Sequence, residues 1–99
     1  MVLEIADIRV APEQQAAFEE AIQRALKTVM AQAKGAGRHK VSRCLETPGR
    51  YVLQIEWETL EDHTVAFRQG PLFAQWRAII GQYFASPPLV EHFDLVTQG

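Results

Sequence analysis

Between Arg50 and Glu58 the chain alternates without a break, with Tyr51, Leu53, Ile55 and Trp57 on one side of an extended strand and Val52, Gln54, Glu56 and Glu58 on the other. Strand side chains repeat with a period of two, so this segment belongs in a sheet with one face on a core and one more polar face. Just before it, Arg38 to Glu46 reads as a second strand, and Thr47-Pro48-Gly49 between the two is a hairpin turn signal. The remaining elements must cover one side of that sheet and extend it.

Val2 to Val10 is a Val- and Ile-rich alternating strand that stops at Ala11-Pro12, where proline suits the first position of a helix. From Pro12 the apolar residues Phe18, Ile22, Leu26, Val29 and Met30 fall at spacings of three and four, opposite Glu19, Glu20, Gln23 and Lys27. This predicts a long amphipathic helix ending near Lys34-Gly35, with Gly35 and Gly37 supplying left-handed backbone. Thr59 followed by Asp62 resembles a capping box and starts a short helix to about Arg68, broken by Gln69-Gly70-Pro71. A third helix runs from Pro71 to about Phe84, with Leu72, Trp76, Ile79, Ile80 and Tyr83 at helical spacing, until Ser86-Pro87-Pro88 stops it. Leu89 to Val96 is the last strand.

The order predicts an α+β fold of the ferredoxin-like, split βαβ kind: a four-stranded antiparallel sheet with helices on one face. At 99 residues and 47 % hydrophobic content, residues 1–99 are expected to form a single domain, too short for two cores and too apolar for disorder. The first strand is apolar on both faces, Leu3 and Ile5 on one, Val2, Ala6, Ile8 and Val10 on the other. Helices cover one face, so the other predicts a homodimer built through the sheet faces.

Ten Lys and Arg against twelve Asp and Glu give a net charge of -2, which offers no nucleic-acid footprint. The run Lys34, Arg38, Lys40, Arg43 and the run Glu56, Glu58, Glu61, Asp62 read as solvated faces of opposite sign. The one cysteine, Cys44, forbids an intrachain disulfide or a multi-cysteine metal cage and reads as a small buried hydrophobe. Glu4, Asp7 and Arg9 interrupt the apolar N-terminal run, which argues against a signal-peptide core or a membrane span. A cytoplasmic protein without a membrane partner is expected.

The chain has no glycine-rich phosphate loop, GxSxG elbow, HExxH or dinucleotide fingerprint. Its candidate chemistry rests on His39, His63 and His92 and on aromatic residues crowded into the second half. His63 lies three residues after Leu60, three before Ala66 and four before Phe67, so it faces inward with them. There it is either a core histidine satisfied by one partner or a base for a flat phenolic substrate. His92 shares a strand face with Asp94, which either fixes its tautomer or reflects an exposed strand face. His92-Phe93-Asp94 also has the local spacing of a 2-His-1-carboxylate iron site with His63 or His39 as third ligand, a pattern common by chance. Arg43 and Arg68 are either surface ion-pair partners or anchors for a substrate anion.

The run Trp57-Glu58-Thr59-Leu60-Glu61-Asp62-His63-Thr64-Val65-Ala66-Phe67-Arg68, then Gly70-Pro71-Leu72-Phe73 and the closing Val90-Glu91-His92-Phe93, resembles the antibiotic biosynthesis monooxygenase family. The likeness includes Val2 to Val10 with Pro12 after it, Arg43-Cys44 and Pro48-Gly49-Arg50-Tyr51. It implies a dimeric α+β barrel with one pocket per subunit between sheet and helices. Members include cofactor-independent oxygenases of anthrones and quinols, haem-degrading enzymes, isomerase-like signal-processing proteins and many proteins of unknown role. Trp76 stands where haem-degrading relatives carry the iron-binding histidine, which argues against haem. Ala66 and Phe67 stand where many quinol-oxidising relatives carry a histidine, so His63, one turn earlier, would take that role. Gly35-Ala36 stands where relatives have a glycine usually followed by an aromatic residue.

The resemblance therefore implies a monooxygenase needing no cofactor or metal, acting on an electron-rich aromatic of anthrone or quinol type. His63 is its expected base, Phe67, Trp76 and Phe84 its walls, and Tyr83, Trp57, Arg43 and His92 further substrate contacts. The alternative expectation is a non-catalytic dimeric domain that binds a small hydrophobic ligand.

Overall fold

A computed structural model describes residues 1–99. Its elements are β1 (Val2–Arg9), α1 (Gln15–Thr28), β2 (Ala36–Arg43), β3 (Arg50–Trp57), a π-helical segment (Asp62–Phe67), α2 (Pro71–Ile80) and β4 (Leu89–Phe93). The strands form one antiparallel sheet in the order β2-β3-β1-β4, the expected ferredoxin-like arrangement. No helix is long and apolar enough to cross a membrane.

The alternation read in β3 is what orients the sheet. Tyr51, Leu53, Ile55 and Trp57 are buried beside Ala6, Ile8 and Val10 of β1, and they meet Phe18, Ile22 and Leu26 of α1 and Trp76 and Ile80 of α2 in one core. Each such side chain contributes roughly 1.5–3 kcal/mol through burial. The register places His39, Ile55, Glu4 and His92 in one row across the sheet, on the side the helices cover. On the other side Leu89 and Phe93 are exposed, and Leu3, Gln54, Glu56, Phe93, Leu95 and Val96 line a cleft of about 710 Å³.

The hairpin closes as expected: Arg50 N–H bonds the Thr47 carbonyl at 3.2 Å, and Cys44 N–H bonds the Arg50 carbonyl at 2.8 Å. Gly49 has φ +83°, and a Cβ there would collide with the Val10 carbonyl, whose own N–H bonds the Gly49 carbonyl at 2.7 Å. Only glycine allows β1 and the hairpin to approach so closely.

Several boundaries differ from those predicted. The long helix tightens after Thr28 into a short 3₁₀ turn at Met30–Gln32, preceded by two β-branched residues, Thr28 and Val29, with the Thr28 hydroxyl bonding the Arg24 carbonyl at 2.8 Å. The third helix likewise ends at Ile80 and continues as the 3₁₀ turn Gly81–Tyr83. Gly35 is left-handed with φ +79°, but Gly37 is not. Gly37 lies in β2 at an irregularity between Ala36 and His39, close against the Glu56 carbonyl. β4 stops at Phe93, whose partner Leu3 lies one residue from the start of β1 at Val2. Cys44 is half-buried rather than buried, its sulfur accepting the Thr47 N–H at 3.3 Å within the turn.

Candidate active site

Four elements deliver side chains to one point under the helices. Glu4 of β1 and His92 of β4 are cross-strand partners, and Trp57 is the last residue of β3. The π-helical segment lowers His63 onto them. The Thr59 hydroxyl accepts the Asp62 N–H at 3.1 Å, the capping contact expected from the sequence. The segment then widens, with Arg68 N–H reaching the His63 carbonyl five residues back at 3.0 Å. A π turn displaces the side chains of an otherwise α-helical stretch and is frequent at functional positions. Asp62, buried at the start of this segment, packs over Gly35, which ties it to the end of the α1 connection.

His63 is 4 % exposed and Glu4 5 %. Nδ1 of His63 lies 2.7 Å from Nε2 of His92, and Nε2 of His63 faces Oε1 of Glu4 at 3.5 Å. The Trp57 indole N–H donates to the same Glu4 oxygen at 2.9 Å. The Trp57 and His63 rings stack with centroids 4.8 Å apart and planes 16° from parallel. Phe67 closes against both, with centroids 6.0 Å from His63 and 5.8 Å from Trp57, and meets Phe73 and Trp76 edge-on. Every buried side-chain nitrogen and oxygen has a partner.

Burial governs the charges. Loss of water, then the Arg68 guanidinium and His92, together lower the His63 pKa from 6.5 to about 4. His92 is lowered for the same leading reason, and Arg68 adds to it. Burial raises the Glu4 carboxyl, against the Trp57 hydrogen bond and Arg68, which lower it. The 3.5 Å approach of His63 to Glu4 is thus a contact of a neutral ring with a carboxyl group rather than an ion pair at neutral pH.

These shifts predict a pH dependence of stability. The unfolded His63 binds a proton at 6.5 and the folded one at about 4, so stability is lost as pH falls from 6.5 toward 4. The His63 contribution amounts to about 2 kcal/mol between pH 7 and pH 5. The lowered His92 acts in the same direction. The raised Glu4 opposes it, since its contribution is present below 4.5 and falls as pH rises. Urea unfolding at pH 7 and pH 5 measures the sum, and in His63→Gln the slope between the two should be clearly smaller.

The structure thus brings together His63, His92, Trp57, Phe67 and Trp76. It does not bring Arg43, Tyr83 and Phe84 to them. Arg43 pairs with Tyr51 at the opposite end of β3 and donates to both Glu19 oxygens, at 2.8 and 3.1 Å. It stands on the rim of a separate groove of about 330 Å³ between α1 and β2. Tyr83 packs edge-on against Phe18, whose ring also lies against Tyr51, and Phe84 bridges Val10. Glu4 and Val10 are six residues apart on an extended strand, about 20 Å.

His39 is exposed on the far edge strand, and no group of three His, Cys, Asp or Glu side chains has a metal-binding arrangement. Glu4 was missed by the sequence reading. Its signal was a carboxylate on the core-facing parity of β1, in line with Ala6, Ile8 and Val10, where burial demands a partner.

Residues 1–79 match the family model of the antibiotic biosynthesis monooxygenases. An uncharacterized Bacillus subtilis protein, YczJ, is 37 % identical over 94 residues, covering 95 % of this chain and 98 % of its own length. A crystal structure from Bordetella bronchiseptica, named for the same family, superposes with a TM-score of 0.91 at 40 % identity over 97 % of both chains. SnoaB, a cofactor-independent oxygenase from Streptomyces nogalater, shares the fold with a TM-score of 0.78 at 20 % identity over 98 % of this chain and 94 % of its own. With nearly four-fifths of its length matched and the expected sheet and helices in place, this chain belongs to the antibiotic biosynthesis monooxygenase family.

Proposed function

We propose that the protein is a cofactor-independent monooxygenase that oxidises an electron-rich aromatic of anthrone or quinol type with dioxygen. The observation that carries this reading is the His63–His92 pair, held at 2.7 Å in a low-polarity surround of Trp57, Phe67 and Trp76. Such a pair supplies what the chemistry asks of a protein: a proton acceptor, an orienting group and exclusion of water. The enolic or phenolic O–H of the substrate gives its proton to the histidine pair. The resulting anion passes one electron to dioxygen, the substrate radical and superoxide combine to a peroxide, and loss of water leaves a carbonyl. For an anthrone the methylene and dioxygen become the quinone carbonyl and one water, so dioxygen is the sole oxidant.

Two copies are proposed to associate through the open sheet face, where Leu3, Ile5, Leu89 and Phe93 form an apolar surface. Light scattering at micromolar concentration should give twice the monomer mass, and a monomer mass would end that part of the proposal. The 710 Å³ cleft on the same face, which the second copy would roof over, favours the second reading, a dimeric domain that holds a small hydrophobic ligand between its two copies without turning it over.

Oxygen uptake distinguishes the two. Purified, metal-stripped protein with a panel of hydroquinones and anthrones should consume oxygen above a protein-free blank. Uptake equal to the blank across the panel, with saturable binding of the same compounds by fluorescence quenching, would favour the ligand-binding domain.

A further inference from the structure

We infer that Glu4, His63 and His92 form a one-way proton relay, in which Glu4 fixes the His63 tautomer and His92, not His63, receives the substrate proton. His63 Nδ1 is hydrogen-bonded to His92 at 2.7 Å, Nε2 points at Glu4 Oε1 across 3.5 Å, and the ring is 4 % exposed under Trp57 and Phe67. A ligand therefore meets His92 before it meets His63. His92 is half-buried on the edge strand β4, one of its nitrogens faces His63, and Nδ1 takes part in no hydrogen bond within the chain.

Glu4 decides the direction. Its Oε1 already accepts the Trp57 N–H and cannot donate while ionised, so the His63 nitrogen that faces it carries the proton. His63 Nδ1 is then a bare acceptor, His92 Nε2–H donates to it, and His92 Nδ1 is bare as well. A substrate O–H transfers its proton to His92 Nδ1, and the Nε2 proton of His92 moves to His63 Nδ1. The products are a substrate anion, a neutral His92 and a His63 imidazolium against the Glu4 carboxylate. One proton leaves the substrate and one is gained by His63. The Glu4 carboxylate faces the charge that forms on His63 and attracts it, against the loss of water that disfavours that charge. The charged groups acting on His63 are Glu4 from β1, His92 from β4 and Arg68 from the end of the π-helical segment.

The catalytic part of this inference rests on the oxygenase reading; the tautomer part does not. Long-range ¹H–¹⁵N correlation spectra of protein labelled at histidine nitrogen should show His63 protonated at Nε2 and bare at Nδ1 at pH 7, and His92 protonated at Nε2. A His63 proton on Nδ1 in the wild-type protein would overturn the inference whether or not turnover is ever found. Glu4→Gln should convert His63 to a tautomer mixture, since a side-chain amide both accepts and donates. With a substrate that supports oxygen uptake, Glu4→Gln should lower kcat about 10- to 100-fold, leave KM within about 2-fold and move the acid limb of the pH profile downward. His92→Ala should lose as much as His63→Ala, and a fully active His92→Ala would reject His92 as the receiving group while leaving the oxygenase reading intact.

Discussion

Replacing Trp57 by alanine should destabilise the protein by about 4 kcal/mol or more, read as a fall in the urea midpoint at pH 7. Trp57 is 0 % exposed, so its removal opens a cavity under the π-helical segment that the stacked His63 and the neighbouring Phe67 cannot fill without leaving their places. Truncation of a buried Trp typically costs about 3–5 kcal/mol through lost burial and the residual cavity. A second effect adds to this, because Glu4 loses the only short hydrogen bond to its buried carboxylate, and a charge-assisted bond of that kind contributes roughly 1.5–3 kcal/mol. The two overlap in one cluster and should not add fully. Trp57→Phe separates them: it keeps most of the volume and removes the N–H, so a loss of about 1–3 kcal/mol is expected. A loss under about 1 kcal/mol for Trp57→Ala would mean that Glu4, His63 and Trp57 are not the packed unit described above.

Removal of the His63 imidazole should lower turnover by about 10²-fold or more in oxygen uptake, with KM changed little. His63 takes up the charge when the substrate proton leaves, because without it the charge would stay on His92, where burial and Arg68 disfavour it, and no other group in the cluster can accept it. Arg68 is cationic, Trp57 is a donor only, and Glu4 is separated from His92 by the His63 ring that bridges them. His63→Ala also removes a stacked ring from the core, so a melting curve must accompany the assay. His63→Gln fills more of the space and tests the same loss of basicity. Equal oxygen uptake by folded wild type, His63→Ala and His63→Gln would take the histidine out of the mechanism. Parallel loss of uptake and of the folded signal would instead mark a structural role.

The route from sequence to fold was short because the relevant forces are local. A period of two in Val2 to Val10 and Arg50 to Glu58, a period near 3.6 in Phe18 to Met30, and punctuation at Pro12, Gly49 and Pro71 sort the chain into strands, helices and turns. Side-chain direction follows from the same periods, which is why His63 was legible as inward-facing and Tyr51, Leu53, Ile55 and Trp57 as core. Element ends were less legible. Whether β4 continues past Phe93 depends on how much of β1 is left to pair with it, and that is a property of the partner strand.

The site divides along the same line. That His63 would lie among aromatic residues was contained in its spacing from Phe67; that its partners would be Glu4 and His92 was not, for these residues are 59 and 29 positions away in sequence. The antiparallel register of β1 with β4 sets Glu4 opposite His92, and the wide turn at Asp62–Phe67 sets the imidazole against both. Arg43, Tyr83 and Phe84 have the residue types a substrate pocket needs, yet strand length carries them to the other end of the sheet. Local pattern therefore determined which way each side chain points, because that depends only on backbone period. Tertiary structure decided which of them meet, because that depends on strand register and on where along its length each element is packed.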